Sequence, residues 1–255
     1  MRTISVMNLK GGVSKTISSI NIACILASMG NKVLLIDNDK QGNTSKFFNV
    51  HSYEEPSLSE VLTIKGFDIG EIIKNTQYEG LDVIQANMTL LRANKEILLD
   101  VSRPQQTRLM KALDSIKDKY DYCVIDNAPD INMTVINALV ASNDVLVPIK
   151  IDKFAFDGLD QLKEQIDEVK EFNPFIELRG CFITMFRKNT VNIQGVDWLN
   201  NNAGYPMFNT VIRNTVKVDE TTFHGRSLQD YAKNSTAAKD YIALVDEYLK
   251  SISTK

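Results

Sequence analysis

Short apolar runs alternate with longer amphipathic stretches along most of the 255-residue chain. This alternation restricts the fold more than any other feature of the sequence, because nearly continuous apolar strands must be covered on both faces. Helices that connect successive parallel strands provide that cover. The pattern therefore predicts an α/β fold, with a mostly parallel twisted sheet and helices on both faces.

The predicted elements follow one another without a Pro-, Gly- or Ser-rich linker and without an internal repeat, so we expect a single domain over residues 1–255. Because Met1 leads directly into the first strand, we expect no N-terminal helix-turn-helix domain. The segment Asn49–Gly80 has a mixed pattern, and we assign no element there. Strands are predicted at Thr3–Met7, Lys32–Ile36, Leu81–Gln85, Tyr122–Ile125, Val145–Ile149 and Leu178–Thr184. Helices are predicted at Ile17–Met29, Leu90–Leu99, Thr107–Lys119, Asn132–Ala141, Gly158–Phe172, Val191–Asn201 and Thr236–Ile252.

Composition excludes several classes of protein. With 44% hydrophobic and 24% charged residues, the chain is typical of soluble globular proteins and not of disordered or collagen-like ones. No run of 18 apolar residues occurs, so we predict neither a membrane span nor a signal peptide. Cys24, Cys123 and Cys181 lie far apart without CxxC spacing. We expect them to be reduced core thiols of a cytosolic protein rather than disulfide or zinc partners.

A glycine-containing turn joins the first predicted strand to the first predicted helix. Backbone N–H groups at such a turn, together with the positive end of the helix dipole, bind phosphate groups. Lys15 adds a positive charge for the β- and γ-phosphates, and the Thr16 hydroxyl is a suitable ligand for Mg²⁺. The turn therefore predicts a nucleotide-phosphate site that comprises Lys10, Gly11, Gly12, Val13, Ser14, Lys15, Thr16 and Ile17.

Carboxylates follow two further predicted strands. Asp37 and Asp39 come directly after the second strand, and Asp126 ends the strand that begins at Tyr122. Because the carboxyl ends of neighbouring parallel strands meet in one crevice of the sheet, we expect these side chains to lie beside the phosphate loop.

These segments resemble the ParA/MinD family of deviant Walker A ATPases. The loop has the family form K-G-G-x-x-K-T, the segment from Asp37 to Asn43 resembles D-x-D-P-Q-G-N, and Asp126 ends a Walker B strand. The resemblance covers nearly the whole chain, and it implies a P-loop NTPase-like fold with ATP and Mg²⁺ as cofactors. The chain departs from the family pattern at Ser14, Lys40, Ala128 and Asp130.

The resemblance also implies a role for each polar residue of the loop and of the strand ends. Lys15 binds the phosphates, whereas Lys10 reaches across a homodimer to the phosphates of the partner. Asp39 orients or activates the attacking water. Magnesium is held by three residues, which are Thr16, Asp37 and Asp126.

Three further residues are assigned by the same resemblance or by local pattern. The family segment that matches residues 212–214 lines the adenine, which assigns Ile212 and Asn214 to the base. Asp130 precedes a predicted helix, and Asp is a favoured residue at a helix N-cap. We therefore expect Asp130 to cap that helix.

Within the family, the chain resembles the ParA/Soj-type partition ATPases. Such ATPases hydrolyse ATP slowly and bind double-stranded DNA non-specifically as ATP-bound dimers. A ParB-type centromere-binding protein stimulates hydrolysis and release. The resemblance thus implies a cytoplasmic, nucleoid-associated protein for plasmid or chromosome segregation. The C-terminal segment Ala237–Lys255 has balanced charge and a core-facing apolar pattern, so we expect no membrane binding.

Charge is distributed unevenly along the chain. Residues 178–255 contain ten Lys and Arg against seven Asp and Glu, although the whole chain has a net charge of −3. Cations on one part of a chain favour contact with an anionic partner. We therefore predict DNA contacts by Arg187, Lys188, Lys217 and Arg226.

Two other functions remain open from the sequence. One is a MinD-like positioning ATPase that acts on a protein or membrane assembly. The other is a small-molecule ligase of the same fold, such as a dethiobiotin-synthetase-like enzyme. The D-x-D-x-Q-G-N segment and the lysine at position 10 favour the switch ATPases over the ligases.

Overall fold

A computed structural model describes residues 1–152, 158–202 and 204–253. Within these ranges the chain forms eight strands, which are β1 Arg2–Val6, β2 Val33–Asn38, β3 Ile73–Asn75, β4 Leu81–Ile84, β5 Tyr122–Asn127, β6 Asp144–Lys150, β7 Glu177–Phe186 and β8 Met207–Arg213. They build one sheet in the order β3-β4-β2-β5-β1-β6-β7-β8. Every pairing is parallel except that of β3 with β4. This architecture confirms the predicted α/β fold.

Helices cover both faces of the sheet. In the described ranges they are α1 Lys15–Ser28, α2 Asn43–Phe47, α3 Leu58–Thr63, α4 Thr89–Leu99, α5 Arg108–Asp114, α6 Met133–Val140, α7 Leu159–Val169, α8 Thr190–Asn202, α9 Val216–His224, α10 Leu228–Ala232 and α11 Thr236–Ser253. Helices α1 and α11 enclose the apolar core on one face. Helices α3 to α8 cover two core clusters on the other face.

All six predicted strands are present, with each boundary within two residues of its prediction. The sequence pattern missed β3 and β8, which lie at the two edges of the sheet and are only partly buried. An edge strand has less need of a continuous apolar run, so it carries a weaker signal. The short helices α2, α3 and α10 were also missed, because five or six residues are too few to show helical periodicity.

The predicted placement of the C-terminal helix and of the cysteines is confirmed. Ala238, Tyr241, Val245 and Tyr248 of α11 are buried against the sheet. Each of the three cysteines is buried and free. Burial raises the pKa of these thiols, which keeps them protonated and unreactive.

A buried carboxylate at the amino edge of the sheet ties α11 to the strands. Asp144 accepts hydrogen bonds from Arg2 Nε at 2.5 Å, Arg179 Nε at 2.7 Å and Tyr248 Oη at 2.8 Å. Although burial raises the pKa of Asp144, these hydrogen bonds hold it below its usual value. The carboxylate therefore stays ionised and links β1, β6, β7 and α11.

Helix α1 begins after a residue in a left-handed backbone conformation. Ser14 has φ 68° and ψ 26°, and its side chain makes no capping hydrogen bond. A left-handed conformation costs a residue with a Cβ about 1–2 kcal/mol, whereas glycine adopts it freely. Ser14 therefore introduces strain at the position where the resembling family has glycine.

We predict that Ser14→Gly raises the free energy of unfolding by up to about 1 kcal/mol, because the relieved strain exceeds the added chain entropy of glycine. Differential scanning calorimetry of the nucleotide-free protein measures this as a higher Tm. Ser14→Ala is the matched control, since it keeps the Cβ and removes no capping bond. A Tm of Ser14→Gly at or below that of Ser14→Ala would contradict the assigned strain.

Candidate functional site

The predicted site residues meet at the carboxyl edge of the sheet. Strand β5 lies between β1 and β2, so the chain passes over β5 when it connects them. The register pairs Asp126 with Val6 on one side and with Asp37 on the other. A crevice opens where neighbouring connections diverge in this way, and such crevices are the usual ligand sites of α/β sheets.

The loop between β1 and α1 is anchored at its base and open at its tip. Asn8 Nδ2 donates to the carbonyl oxygen of Pro148 at 2.8 Å, and Asn8 Oδ1 accepts from the backbone N–H of Lys10 at 2.8 Å. At Gly11 and Gly12, by contrast, an added Cβ would meet no atom within 4 Å. The glycines therefore face open space in which a phosphate chain can approach the backbone N–H groups.

Lys15 is held inside this loop. Its Nζ donates to the carbonyl oxygen of Lys10 at 2.9 Å, and the residue is only 7% exposed. Burial lowers the pKa of Lys15, while the nearby Asp126 and Asp39 act in the opposite direction. The ammonium thus lies between the loop backbone and the carboxylates, where it can neutralise a phosphate.

Lys10 has a different environment from Lys15. Its ammonium forms an ion pair with both carboxylate oxygens of Asp152, which lies just after β6. The two side chains are 28% and 35% exposed, so the pair lies at the rim of the site. Lys10 is therefore not needed for the charge balance of its own loop.

Asp126 is surrounded by hydroxyl groups. Its Oδ2 accepts from Thr44 Oγ1 at 2.8 Å and its Oδ1 accepts from Ser19 Oγ at 3.2 Å. Burial raises the pKa of Asp126, and hydrogen bonds from Thr44, Thr16 and Ser19 partly offset this. A carboxylate beside the Thr16 hydroxyl is a donor set that Mg²⁺ accepts when phosphates and water complete its shell. Thr16 and Asp126 therefore fit a magnesium site.

Asp37 is fully buried and heavily hydrogen-bonded. Its Oδ2 accepts from the backbone N–H and the hydroxyl of Ser45 at 2.8 and 2.6 Å, and its Oδ1 accepts from the backbone N–H of Asp39 at 3.1 Å. Burial, and then the charge of Asp126, raise the pKa of Asp37. These contacts shape the turn that carries Asp39, and a direct role of Asp37 at the magnesium stays a prediction.

Asp39 lies half-buried on a tight turn at the rim of the crevice. Its Oδ1 accepts from the backbone N–H of Gln41 at 2.9 Å. The turn ends at Gly42, which has φ 63° and where a Cβ would lie 2.7 Å from the carbonyl oxygen of Ala86. Only glycine fits there. The turn therefore places a carboxylate next to Lys15 and Asp126, where it can hydrogen-bond a water molecule.

The predicted adenine contacts separate in the structure. Asn214 lines a cavity of about 270 Å³ beside the site, together with Arg187, Asn189 and Asn192. Ile212 does not line this cavity; it is 3% exposed and packs in the core beneath α11. Ile212 lies on the face of β8 that α11 covers, whereas Asn214 lies just beyond the end of the strand. Ile17, predicted in the phosphate loop, likewise packs against that core.

The N-cap prediction for Asp130 is wrong. Helix α6 begins after Asn132, whose Oδ1 accepts from the backbone N–H groups of Thr134 and Val135 at 3.0 and 3.1 Å. Asp130 instead accepts a hydrogen bond from Asn132 Nδ2 at 3.3 Å. Asn and Asp are equally favoured caps, so local sequence did not decide between them.

The predicted DNA-contact residues form two groups. Arg187 and Lys188 are exposed after β7, and in the part of the chain that the structure describes neither side chain has an ion pair. Lys217 and Arg226 converge on the ring of Tyr231, at 5.9 and 6.0 Å from its centroid. Each of these two cations is paired with a carboxylate at 2.7 Å, Lys217 with Glu220 and Arg226 with Asp230.

Several residues that complete the site were missed from sequence. Thr44, Ser45 and Ser19 hold the buried carboxylates, and Asp152 pairs with Lys10. Ser19 lies one helical turn after Lys15, which is a weak signal for a shared helix face. Nothing in the local sequence marks Asp152. In the described ranges, no group of three or more His, Cys, Asp or Glu side chains could hold a metal ion, and no helix could cross a membrane.

Known proteins resemble this chain in sequence over nearly its whole length. The profile of a family described as an AAA domain matches residues 1–178. The sporulation initiation inhibitor protein Soj of Bacillus subtilis is 34% identical over 248 residues, which cover 96% of this chain and 97% of Soj. The chromosome partitioning protein ParA of Caulobacter vibrioides is 33% identical over 254 residues, or 98% of this chain and 94% of that protein.

Solved structures resemble the fold as well. Cobyrinic acid a,c-diamide synthase from Mycobacterium smegmatis, with bound ATP analog and magnesium, has a TM-score of 0.85 at 26% identity. The match covers 100% of this chain and 96% of the synthase chain. A plasmid partition protein from Borrelia burgdorferi has a TM-score of 0.77 at 27% identity. The match covers 98% of this chain and 99% of the Borrelia chain. The phosphate loop, the strand-end carboxylates and the full-length similarity to Soj and ParA together show that the chain belongs to the ParA/Soj-type ATPases.

Proposed function

We propose that this protein is an ATP-dependent DNA-partition ATPase of the cytoplasm. It binds ATP with Mg²⁺, dimerises around the nucleotide and binds double-stranded DNA without sequence preference. A ParB-type centromere-binding protein stimulates hydrolysis and release. One observation carries the proposal. The ammonium of Lys15 lies inside the phosphate loop, whereas the ammonium of Lys10 lies at the rim of the loop and pairs with Asp152. The second lysine is then available for the phosphates of a second copy.

Each residue of the site has a separate task in hydrolysis. The backbone N–H groups at Gly11 and Gly12 and the ammonium of Lys15 bind the phosphates. Thr16 and Asp126 would hold Mg²⁺, and the ion would supply positive charge to the phosphates. Asp39 orients the attacking water and accepts its proton. We expect slow hydrolysis, because none of the residues assigned here to the phosphates is an arginine.

Dimerisation requires Lys10 to exchange one anion for another. In the monomer its ammonium is paired with Asp152, and in the dimer it contacts the phosphates of the partner copy. Because the monomeric ion pair is partly exposed, little free energy opposes this exchange. ATP, with its γ-phosphate, favours the exchange more than ADP does, so the nucleotide state controls the dimer.

Two alternative functions have weaker support. A role as a small-molecule enzyme has the support of a structural likeness to cobyrinic acid a,c-diamide synthase, at 26% identity. Soj and ParA are more similar in sequence, at 34% and 33%. A MinD-like membrane role would need an exposed C-terminal helix, whereas the apolar side of α11 is buried in the core.

We predict that Lys15→Ala abolishes ATP binding, because it removes the main positive charge inside the phosphate loop. Isothermal titration with ATP and Mg²⁺ measures the loss. Lys46→Ala is a matched control, since this lysine donates only to the carbonyl oxygen of Gln41 at the surface. Tight ATP binding by Lys15→Ala would refute the assignment of the loop.

We predict that Lys10→Ala and Asp39→Ala separate two steps. Lys10→Ala binds ATP but stays monomeric, because it lacks the charge that crosses the interface. Asp39→Ala accumulates as an ATP-bound dimer, because only the group that handles water is lost. Light scattering after size exclusion in ATP measures both states. A monomeric Asp39→Ala protein, or a dimeric Lys10→Ala protein, would contradict these roles.

The ion pairs on α9 and α10 generate a prediction for DNA binding. Glu220→Gln with Asp230→Asn frees Lys217 and Arg226, so we expect DNA affinity in ATP to rise about two- to fivefold for each exposed pair that is removed. We expect the dependence of log affinity on log salt to steepen by about one unit per freed cation. Fluorescence anisotropy with duplexes of two unrelated sequences measures both effects.

Two further variants test the same DNA face. Asp167→Asn is the control for the gain, because it removes an exposed carboxylate paired with Lys163 and Lys170 on the remote helix α7. Arg187→Glu with Lys217→Glu should weaken binding equally for both duplexes and leave ATP-driven dimerisation intact. Absence of ATP-dependent DNA binding by the wild-type protein would refute the proposed function.

A further inference from the structure

Two buried asparagines bond to each other directly behind the carboxylates of the site. Asn38 Nδ2 donates to Asn127 Oδ1 at 2.9 Å, and each residue is 1% exposed. They are register partners at the ends of β2 and β5. Asn38 lies between Asp37 and Asp39, and Asn127 follows Asp126, so the amide pair joins the two strand ends that carry the carboxylates.

The amides and the carboxylates point to opposite faces of the sheet. Asp126 contacts Thr44 and Ser19 on the face of α1 and α2. Successive strand residues alternate between faces, so Asn38 and Asn127 point toward α6. Asn38 Nδ2 reaches the carbonyl oxygen of Thr134, in the first turn of α6, at 3.2 Å.

The pair also contacts the strand that leads into the phosphate loop. Asn127 Nδ2 donates to Ser5 Oγ at 3.2 Å and to the carbonyl oxygen of Val6 at 3.3 Å. The amide pair therefore contacts β1, β2, β5 and α6. The ends of these four elements are the phosphate loop, the Asp39 turn, Asp126 and the loop Ala128–Asn132.

Packing alone does not require amides at these two positions. The preceding residues that point to the same face, Ile36 and Ile125, are apolar and fully buried in the core. Moreover, Asn38 Oδ1 is buried with no hydrogen-bond partner in the described part of the chain. Buried acceptors are nearly always paired, and an unpaired one destabilises the fold. Two aliphatic side chains at these positions would therefore stabilise the fold more than the amide pair does.

We propose that Asn38 and Asn127 are positioning residues that couple the Asp39 turn to the loop Ala128–Asn132. That loop directly follows Asp126, so bound nucleotide displaces it together with the start of α6. The displacement reaches Asn38 through Thr134, and it moves Asp39 toward the position where it orients water. Asn38 Oδ1 accepts a backbone N–H of the displaced loop. This inference rests on the ATP hydrolysis of the proposed function and not on DNA binding.

The test uses Asn38→Leu, Asn127→Leu and the double variant in the full chain. Each single change leaves a buried amide unpaired and lowers Tm, whereas the double change removes both amides and restores most of the lost Tm. We expect kcat for ATP hydrolysis to fall about tenfold or more in all three variants, since misplacement of a catalytic group by about 1 Å can cost about 100-fold. KM for ATP should change little, because the phosphate loop is untouched.

Tyr248→Phe is the matched control. It removes a buried hydrogen bond to Asp144 at the opposite edge of the sheet, so it should lower Tm without changing kcat. A double asparagine variant whose kcat recovers together with its Tm would overturn the inference and leave the ATPase assignment intact. Wild-type protein that fails to hydrolyse ATP in the same assay would instead refute the proposed function.

Discussion

Two carboxylates, Asp37 and Asp126, are buried side by side where β2 and β5 end, and the site depends on keeping them there. Burial raises the pKa of both carboxyl groups, and the charge of Asp126 raises that of Asp37 further, so the fold must supply compensation. Hydroxyls of Ser19, Thr44 and Ser45 hydrogen-bond them, and the ammonium of Lys15 lies nearby. A divalent cation on a phosphate chain would complete the compensation, which makes the ligand part of the electrostatics of the fold.

The same principle applies to the cations proposed to contact other molecules. Lys10, Lys217 and Arg226 are each paired with a carboxylate of their own chain. Binding a nucleotide or DNA then exchanges one anion for another instead of neutralising a free charge. Such an exchange has a small net free energy, because these pairs are partly exposed. Weak and reversible contacts suit the cycle of binding and release that we propose for this protein.

Much of the fold could be predicted from the sequence because its signals are local. A central parallel strand must be apolar over its whole length, and this made β1, β2 and β5 visible as runs such as Lys32–Ile36. The edge strand β8 has only two buried residues, and β3 has only three residues in all, so neither has such a run. Helix α11, predicted at Thr236–Ile252 and present at Thr236–Ser253, was predictable because its apolar residues recur with helical spacing.

The sequence by itself determined which residues form the phosphate loop and which carboxylates lie beside it, because a turn between strand and helix places them within a few residues of the strand ends. Only the tertiary structure decided what those residues contact. Asp152 pairs with Lys10 across 142 positions of the chain, Thr44 with Asp126 across 82, and Asn38 with Asn127 across 89. A local sequence pattern cannot predict pairs with such large sequence separations. They form because the parallel sheet brings together strand ends that are far apart in sequence. Asp130 shows the same limit, since the start of α6 after Asn132 decided which of the two residues caps the helix.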